Sequence, residues 1–277
     1  MRKRSMGHRI GLAIACALTA LFVMLPIYWM VITSFKTDAG VSAPSPQWFP
    51  NPISVTSYSN AFVSNSFGRY ILNSVVVAVS TTIVVLALGT LAGYALGRLP
   101  MKGKVTTLLL LLMISVFPAI AVIAPLYLLM RELGWLNSYQ ALILPYAAFN
   151  LPFAIWILRN YFLGIPREME EMGRIDGANP LRTLWSIILP MALPGLFTAG
   201  VFTFTACWTE FLMALSFNSS NDFRTIPVGI ALFGSPHITP YGTLFAASTV
   251  AVLPIAILVL VFRKSVVSGL TSGAVKG

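Results

Sequence analysis

Residues that could carry out catalysis are few in this 277-residue sequence, and none of them forms a known enzyme motif. The segment 97–104 comes nearest to a phosphate-binding loop, but Gly103 stands one place too late and Val105 replaces the Ser or Thr that would hold Mg²⁺. No HExxH or GxSxG pattern occurs, and His8 and His237 are predicted to lie in flanking loops. We therefore expect no catalytic residue, no metal site and no cofactor bound by this chain. Any ATP hydrolysis must come from another chain.

The densest group of charges lies in the segment 164–190, between stretches of almost unbroken apolar sequence. Pro166 suits the first turn of a helix, and the glutamates after it suit the positive end of the helix dipole. Gly177 tolerates the left-handed conformation that ends a helix, and Asn179 with Pro180 begins the next one. The segment is therefore predicted to form a two-helix amphipathic hairpin that presents a surface to a partner. It holds four of the eight acidic residues of the chain, Glu168, Glu170, Glu171 and Asp176.

The elements around this hairpin are expected to be transmembrane helices. With 57% hydrophobic residues, 9% charged residues and a mean hydropathy of +0.83, the composition is that of a polytopic membrane protein. Apolar stretches long enough to cross the ~30 Å hydrocarbon core predict six transmembrane helices in a single all-α membrane domain. Their approximate bounds are 10–34, 70–96, 105–130, 139–163, 191–215 and 243–262, followed by a tail at 263–277.

The net charge of +10 reports membrane topology rather than nucleic-acid binding. If six spans follow a cytoplasmic N-terminus, 14 of the 18 basic residues fall in inner segments, as the positive-inside rule requires. Both termini and the 164–190 hairpin are therefore predicted to be cytoplasmic. The first apolar run is too long for a signal peptide and lacks a small-x-small cleavage site, so it is interpreted as an uncleaved span.

Small residues and prolines within the spans predict how the helices pack. Gly89, Gly93 and Gly97 recur at a spacing of four, which favours close packing against another helix. Cys16 and Cys207 are interpreted as small buried apolar residues, and no disulfide is predicted. Prolines within the spans predict helices kinked around a shared interior. They are Pro118, Pro125, Pro145, Pro152 and Pro254.

Glu210 is an acidic residue well inside a predicted span, where ionisable groups are costly and usually face an interior cavity or a partner. One hypothesis is that it accepts a hydrogen bond from a polar substrate, beside Trp208. The alternative is a structural acceptor that joins the fifth span to a neighbouring helix or subunit. Asn150, Thr205 and Thr209 are weaker candidates for the substrate pathway, and they could instead satisfy backbone groups freed by nearby prolines.

The stretch 170–178, Glu-Glu-Met-Gly-Arg-Ile-Asp-Gly-Ala, followed by Ile-Leu-Pro at 188–190, resembles the Glu-Ala-Ala signature of permease subunits in binding-protein-dependent ABC importers. The chain is similar over nearly its whole length to the sugar-importing branch of that family, which includes the second maltose permease. One departure is Met172-Gly173 in place of Ala-Ala. Since Gly is about 1 kcal/mol less favourable than Ala in a helix, the first hairpin helix is expected to depend more on its partner for order. Further matching stretches are Asn73-Ser74, Gly89, 93–96, Arg98, 151–158, 208–212 and 269–277.

The resemblance implies an importer in the plasma membrane of a prokaryote, built from this chain, a second homologous permease, two ATPase subunits and an extracytoplasmic solute-binding protein. ATP and Mg²⁺ would be bound by the ATPases. It further implies that the hairpin docks into a cleft of an ATPase, that the Gly-rich tail after Gly269 reaches between the ATPases, and that the 217–241 loop contacts the solute-binding protein. The residues implied in coupling are Glu170, Glu171, Arg174, Asp176, Gly177 and Ala178. The overall likeness favours a disaccharide such as trehalose as the cargo.

Other functions stay open at this point. The same machinery could carry a non-sugar solute, such as a phosphate ester or a compatible solute. An ion-coupled secondary transporter is a different class, but such proteins often show internal repeats and several intramembrane acids, whereas this sequence has no repeat and essentially one such acid, Glu210. A membrane scaffold or sensor would bind partners without moving a substrate.

Overall fold

The computed structural model describes residues 6–234 and 239–271, and the regular elements in those ranges are all helical. His237 and the end of the Gly-rich tail lie outside the described residues. The helices are α1 (Met6–Ser34), α2 (Asp38–Val41), α3 (Thr56–Ser59), α4 (Phe67–Arg98), α5 (Lys104–Val116), α6 (Ala119–Glu132), α7 (Gln140–Leu163), α8 (Glu168–Ile175), α9 (Pro180–Thr183), α10 (Leu189–Met191), α11 (Leu193–Thr209), α12 (Leu212–Phe217), α13 (Ile226–Ala231) and α14 (Tyr241–Thr271). Two segments, Asn60–Ser64 and Leu184–Ile188, are π-helical.

Four of the six predicted spans are found as long apolar helices. Within the described residues, the segments long and apolar enough to cross a membrane are Ile10–Ser34, Phe67–Arg98, Gln140–Leu163 and Tyr241–Arg263. The number rises to six if each of two sharply bent helix pairs forms one span. The predicted all-α, multi-pass fold is therefore confirmed.

The predicted span 105–130 is not one continuous helix. It is divided into α5 and α6, whose axes differ by 88°. Phe117 separates them with an extended backbone, ψ 130°, and Pro118 follows. The cause is steric, because a proline disfavours the helical conformation of the residue before it. Pro125, by contrast, lies inside α6, which continues through it.

The predicted span 191–215 is also interrupted. Its main helix, α11, ends at Thr209, and Glu210 adopts an extended backbone with ψ 133° before α12 begins. At its other end, α11 is bent by 81° from the preceding helical segment Pro180–Met191. The bend at Ala192 falls where the sequence analysis separates the hairpin from the span, whereas the break at Glu210 was not predicted.

Contacts divide the chain into two compact units. The first comprises the described parts of 1–67 and 230–253, and the second comprises the described parts of 68–229 and 254–277. In the first unit, Trp29 packs edge-on against Trp48 at 5.5 Å between ring centres, and the Lys36 ammonium lies 4.1 Å from the Trp29 ring. Burial lowers the pKa of Lys36.

Cys16 on α1 is exposed, so the prediction that both cysteines are buried holds for Cys207 alone. The apolar window of α1 has no buried residue.

The glycine pattern of α4 does bring helices together in the second unit. A Cβ at Gly93 would lie 3.2 Å from the Arg159 backbone nitrogen, and one at Gly97 would lie 3.5 Å from the Arg159 Cγ. A Cβ at Gly89 would lie 3.3 Å from a methyl of Leu158. The predicted close packing is confirmed, and it joins α4 to α7.

The loop between α12 and α13 is held on α4 by a buried amide. Asn73 donates from Nδ2 to the carbonyls of Asp222 at 2.9 Å and Arg224 at 2.8 Å, while its Oδ1 accepts from Tyr139 at 2.8 Å. The backbone N–H of Ile226 donates to the neighbouring Ser74 hydroxyl at 2.8 Å. Part of the predicted outer loop is thus fixed against the membrane-spanning helices.

Candidate functional sites in the hairpin and around Glu210

The first arm of the hairpin is α8, which begins four residues after the linker glycine at position 164. Three glutamates lie in its first turn and Arg174 lies in its last, so both groups of charge complement the helix dipole. Side-chain exposure separates the glutamates. Glu168 and Glu171 are exposed, whereas Glu170 is buried.

The turn of the hairpin has the local geometry that its sequence predicts. Gly177 has φ +77°, and its N–H donates to the Arg174 carbonyl at 3.0 Å. The N–H of Ala178 donates to the Gly173 carbonyl at 2.8 Å, which completes a Schellman cap. Asn179 then caps α9 by accepting from the Arg182 N–H at 2.8 Å, and Pro180 is the first residue of that helix. The predicted bend and restart are confirmed.

The second arm continues from α9 through the π-helical segment Leu184–Ile188 into α10. The sequence predicted a helix here but not its π-helical turn. Gly173 packs against this arm so closely that a Cβ there would lie 2.6 Å from the Ile187 Cδ1 and 3.6 Å from the Thr183 hydroxyl oxygen. The departure from Ala-Ala at this position therefore has a physical reason, because a glycine lets the two arms approach. Leu184 and Ile188 are fully buried and join the core below.

The outer face of the hairpin combines charge with exposed apolar side chains. Glu171, Arg174, Asp176 and Gly177 are exposed, Ala178 is partly exposed, and Ile175 is 84% exposed. Other large apolar side chains in the segment are exposed as well. They are Met172, Leu181 and Trp185. Such a surface can dock into a groove that offers both apolar contacts and cationic groups.

Glu170 is used inside the chain. Its Oε1 lies 3.0 Å from Nε of Arg98, the last residue of α4, as an ion pair. Arg98 Nη2 also donates to the Ile165 carbonyl at 2.5 Å. The sequence signature placed Glu170 beside Glu171 but gave no indication that the first carboxylate is buried and the second exposed. Helical spacing of about 100° per residue is the signal that could have indicated it.

Glu210 lies at the break between α11 and α12, and its carboxylate is occupied on both oxygens. Oε1 accepts from the Met213 N–H at 2.8 Å, and Oε2 accepts from the Ala214 N–H at 3.1 Å and from the Tyr146 hydroxyl. The carboxylate thus satisfies backbone donors at the start of α12 and joins that helix to α7. Tyr146 was missed by the sequence interpretation, because a lone phenol in an apolar run carries no spacing signal.

The other pathway candidates are divided between two places. Asn150 lies near Tyr146, donating to its carbonyl at 2.8 Å, and its Nδ2 is 3.9 Å from the Cys207 sulfur. Thr209 donates to the Thr205 carbonyl at 2.9 Å, one turn earlier in α11. Trp208 is buried and stacks on Phe204 at 5.3 Å between ring centres. Among the described residues, no group of three or more His, Cys, Asp or Glu side chains could hold a metal ion.

Together, the apolar helices and the amphipathic hairpin between two of them define a multi-pass membrane protein. The family model for binding-protein-dependent transport system inner membrane components matches residues 89–272. The chain therefore belongs to that family, and the resemblance seen in the sequence is confirmed. Permease subunits of this family are not enzymes themselves, so the prediction of a non-enzymatic chain is also confirmed.

Three curated relatives are similar over almost their whole length. The sulfoquinovosyl glycerol transport system permease of Agrobacterium fabrum is 39% identical, covering 95% of this chain and 93% of the relative. The trehalose/maltose transport system permease of Thermococcus litoralis is 37% identical, with 97% of each chain covered. The trehalose transport system permease of Mycobacterium tuberculosis is 35% identical, covering 92% of this chain and 93% of the relative.

A solved structure supports the same fold. A chain in the crystal structure of a bacterial ABC transporter involved in the import of the acidic polysaccharide alginate matches with a TM-score of 0.82 at 22% identity. The match covers 95% of this chain and 99% of that one. At this identity, the likeness concerns the fold alone.

Proposed function

We propose that this chain is the permease subunit of an ABC importer for a sugar, and that it forms part of the translocation pathway. A disaccharide such as trehalose is the proposed cargo, because two relatives are named for trehalose transport. The sulfoquinovosyl glycerol relative is also named for a glycoside, so the names agree on a sugar and differ on which one. ATP and Mg²⁺ are bound by a partner ATPase.

The observation that carries this proposal is the hairpin. It is rigidly capped at Gly177 and Asn179, and it presents acidic and apolar side chains on its outer face. Its lower side is continuous with the packed core of α4, α7 and α11. A surface of this kind suits docking into a groove of a soluble ATPase on the cytoplasmic side. Closure of two ATPases would move the hairpin as a rigid body and switch the helices between inward- and outward-facing states.

We infer the remaining partners from what is expected of the family. The proposed complex contains a second homologous permease, two ATPases and an extracytoplasmic binding protein that meets the 217–241 loop, with both termini of this chain in the cytoplasm. A chain in the crystal structure of a bacterial alginate ABC transporter in complex with an alginate pentasaccharide-bound periplasmic protein has a similar fold, with a TM-score of 0.68. The end of the tail, after Gly269, is proposed to lie between the ATPases.

The first experiment is to identify the proteins that co-purify with a tagged copy of this chain in mild detergent. Recovery of one second permease and two ATPases, with ATP hydrolysis stimulated by the binding protein and one sugar, would support the proposal and identify the cargo. Stimulation by a phosphate ester or compatible solute instead would favour the non-sugar permease. Recovery of the chain without an ATPase, with uptake that stops when ion gradients collapse, would support the secondary transporter.

Charge reversal at the hairpin then tests the docking surface. Glu171→Lys is expected to reduce ATPase recovery about tenfold or more, since a like charge opposite a cationic groove is strongly unfavourable. Glu168→Lys is the matched control, because Glu168 is an exposed glutamate of the same helix that is not assigned to the docking surface. Equal ATPase recovery with Glu171→Lys and wild type would contradict the assignment.

A further inference from the structure

A buried ion pair lies at the base of the hairpin, away from its exposed docking face. The side chains of Arg98 and Glu170 are only 3% and 9% exposed, and Arg98 Nε lies 3.0 Å from Glu170 Oε1. Burying two charges is costly unless their geometry and hydrogen bonding compensate for the lost solvation. A pair buried at this position therefore requires an explanation beyond surface charge.

Arg98 bonds to a second part of the same region. Its Nη2 donates to the carbonyl of Ile165 at 2.5 Å and approaches the carbonyl of Pro166 at 3.4 Å. These two residues lie in the four-residue linker between α7 and α8. One planar guanidinium thus holds both the linker and the first hairpin helix, which a lysine ammonium, a single point charge, cannot do with the same geometry.

The position of Arg98 makes this contact mechanically important. The hairpin is joined through the backbone to α7 on one side and to α11 on the other, but α4 is distant from it in sequence. Arg98 is the final residue of α4, whose last turns pack tightly on α7 through Gly93 and Gly97. The ion pair therefore gives α4 a direct electrostatic contact with the hairpin.

We propose that the Arg98–Glu170 pair is a tether that positions the hairpin on α4, so that a displacement of the hairpin moves α4 together with α7 and α11. This proposal rests on the proposed role of the hairpin in coupling ATP hydrolysis to transport. Glu170 is in this view a positioning residue, which acts through Arg98 and does not contact the ATPase. Removing the tether separates hydrolysis from transport without removing the docking surface.

The test measures sugar uptake and phosphate release together in proteoliposomes that contain the full complex. Glu170→Gln is expected to leave ATPase recovery and hydrolysis in place and to lower uptake per ATP hydrolysed about tenfold, because it breaks the buried pair. Arg98→Lys is also expected to lower uptake per ATP hydrolysed, since lysine keeps the positive charge but loses the bonds from Nη2 to the linker carbonyls. Glu168→Gln, on the exposed side of the same helix, is expected to keep the wild-type ratio.

The double variant Arg98→Gln with Glu170→Gln separates tethering from simple charge burial. It leaves no uncompensated charge, so assembly is expected to match that of wild type, while uptake per ATP stays low because the tether is absent. Recovery of the wild-type ratio in this double variant would overturn the tether. If Glu170→Gln keeps the wild-type value of uptake per ATP hydrolysed, the tether is overturned but the proposed function is not. If the wild-type chain co-purifies with no ATPase, the proposed function is overturned as well.

Discussion

Replacing Gly177 with Ala tests whether the shape of the hairpin bend is needed for transport. Gly177 has φ +77°, and a Cβ at this position would meet no atom within 4 Å. The cost of the substitution therefore comes from the backbone alone. The left-handed conformation costs an L-residue about 1–2 kcal/mol, which disfavours the native bend about 5- to 30-fold relative to other conformations.

We expect Gly177→Ala to assemble with its ATPases and to lose sugar uptake by at most that factor, since packing of the two arms resists part of the change. The assay is uptake of labelled sugar and phosphate release measured in the same proteoliposomes. Gly103→Ala is a matched control, because Gly103 has φ +76°, has no atom within 4 Å of a built Cβ and precedes α5 in a different loop. It carries the same backbone cost outside the hairpin.

The comparison has a clear failing result. If Gly103→Ala and Gly177→Ala reduce uptake equally, the loss reflects general strain and not the geometry of the coupling bend. Wild-type uptake in Gly177→Ala would refute the reasoning more directly, because it would show that the left-handed cap contributes nothing to coupling. A loss confined to Gly177→Ala, with hydrolysis retained, is the expected outcome.

Two further predictions concern close packing and the broken fifth span. A Cβ at Gly173 would lie 2.6 Å from the Ile187 Cδ1. Gly173→Ala is therefore expected to stabilise the complex by about 1 kcal/mol only when Ile187→Val removes that atom. If the two substitutions have additive effects on thermal unfolding, this coupling between the arms is contradicted. Glu210→Gln is expected to lower the free energy of unfolding by about 1–3 kcal/mol. One carboxylate oxygen, which accepts hydrogen bonds, is replaced by an amide NH2 group that would face N–H or O–H donors. The sugar concentration for half-maximal ATPase stimulation should stay unchanged, and a higher requirement would instead support a substrate contact.

Local chemistry explains which parts of the hairpin could be predicted from the sequence. Gly177 and Asn179 form caps with backbone groups only a few residues away, so their residue types carry the information. Hydropathy likewise identified the long apolar helices. The extended backbone at Phe117 was implicit in the proline after it, but an average over an apolar window does not contain that geometry.

The remaining features depend on contacts between residues distant in sequence. Glu170 and Glu171 are adjacent and chemically identical, yet one pairs with Arg98 and the other is exposed. Which of them turns inward is set by where Arg98, at the end of α4, meets α8. In the same way, the Tyr146 hydroxyl meets Glu210 because α7 packs beside the break in the fifth span. The sequence shows that a buried acid needs a partner, whereas the fold decides which residue that partner is.

The packing beneath the hairpin bears directly on how motion could pass into the membrane helices. Three hairpin residues, Ile165, Leu184 and Ile188, belong to one buried cluster with residues of α4, α7 and α11. A cluster packed at crystal-like density transmits displacement and resists local deformation. If the hairpin were attached through exposed linkers alone, movement of an ATPase would be lost in those linkers. Because its base is part of the core, the hairpin and the adjacent ends of α4, α7 and α11 should move as one body, with the Arg98–Glu170 pair fixing α4, which the backbone does not join to the hairpin.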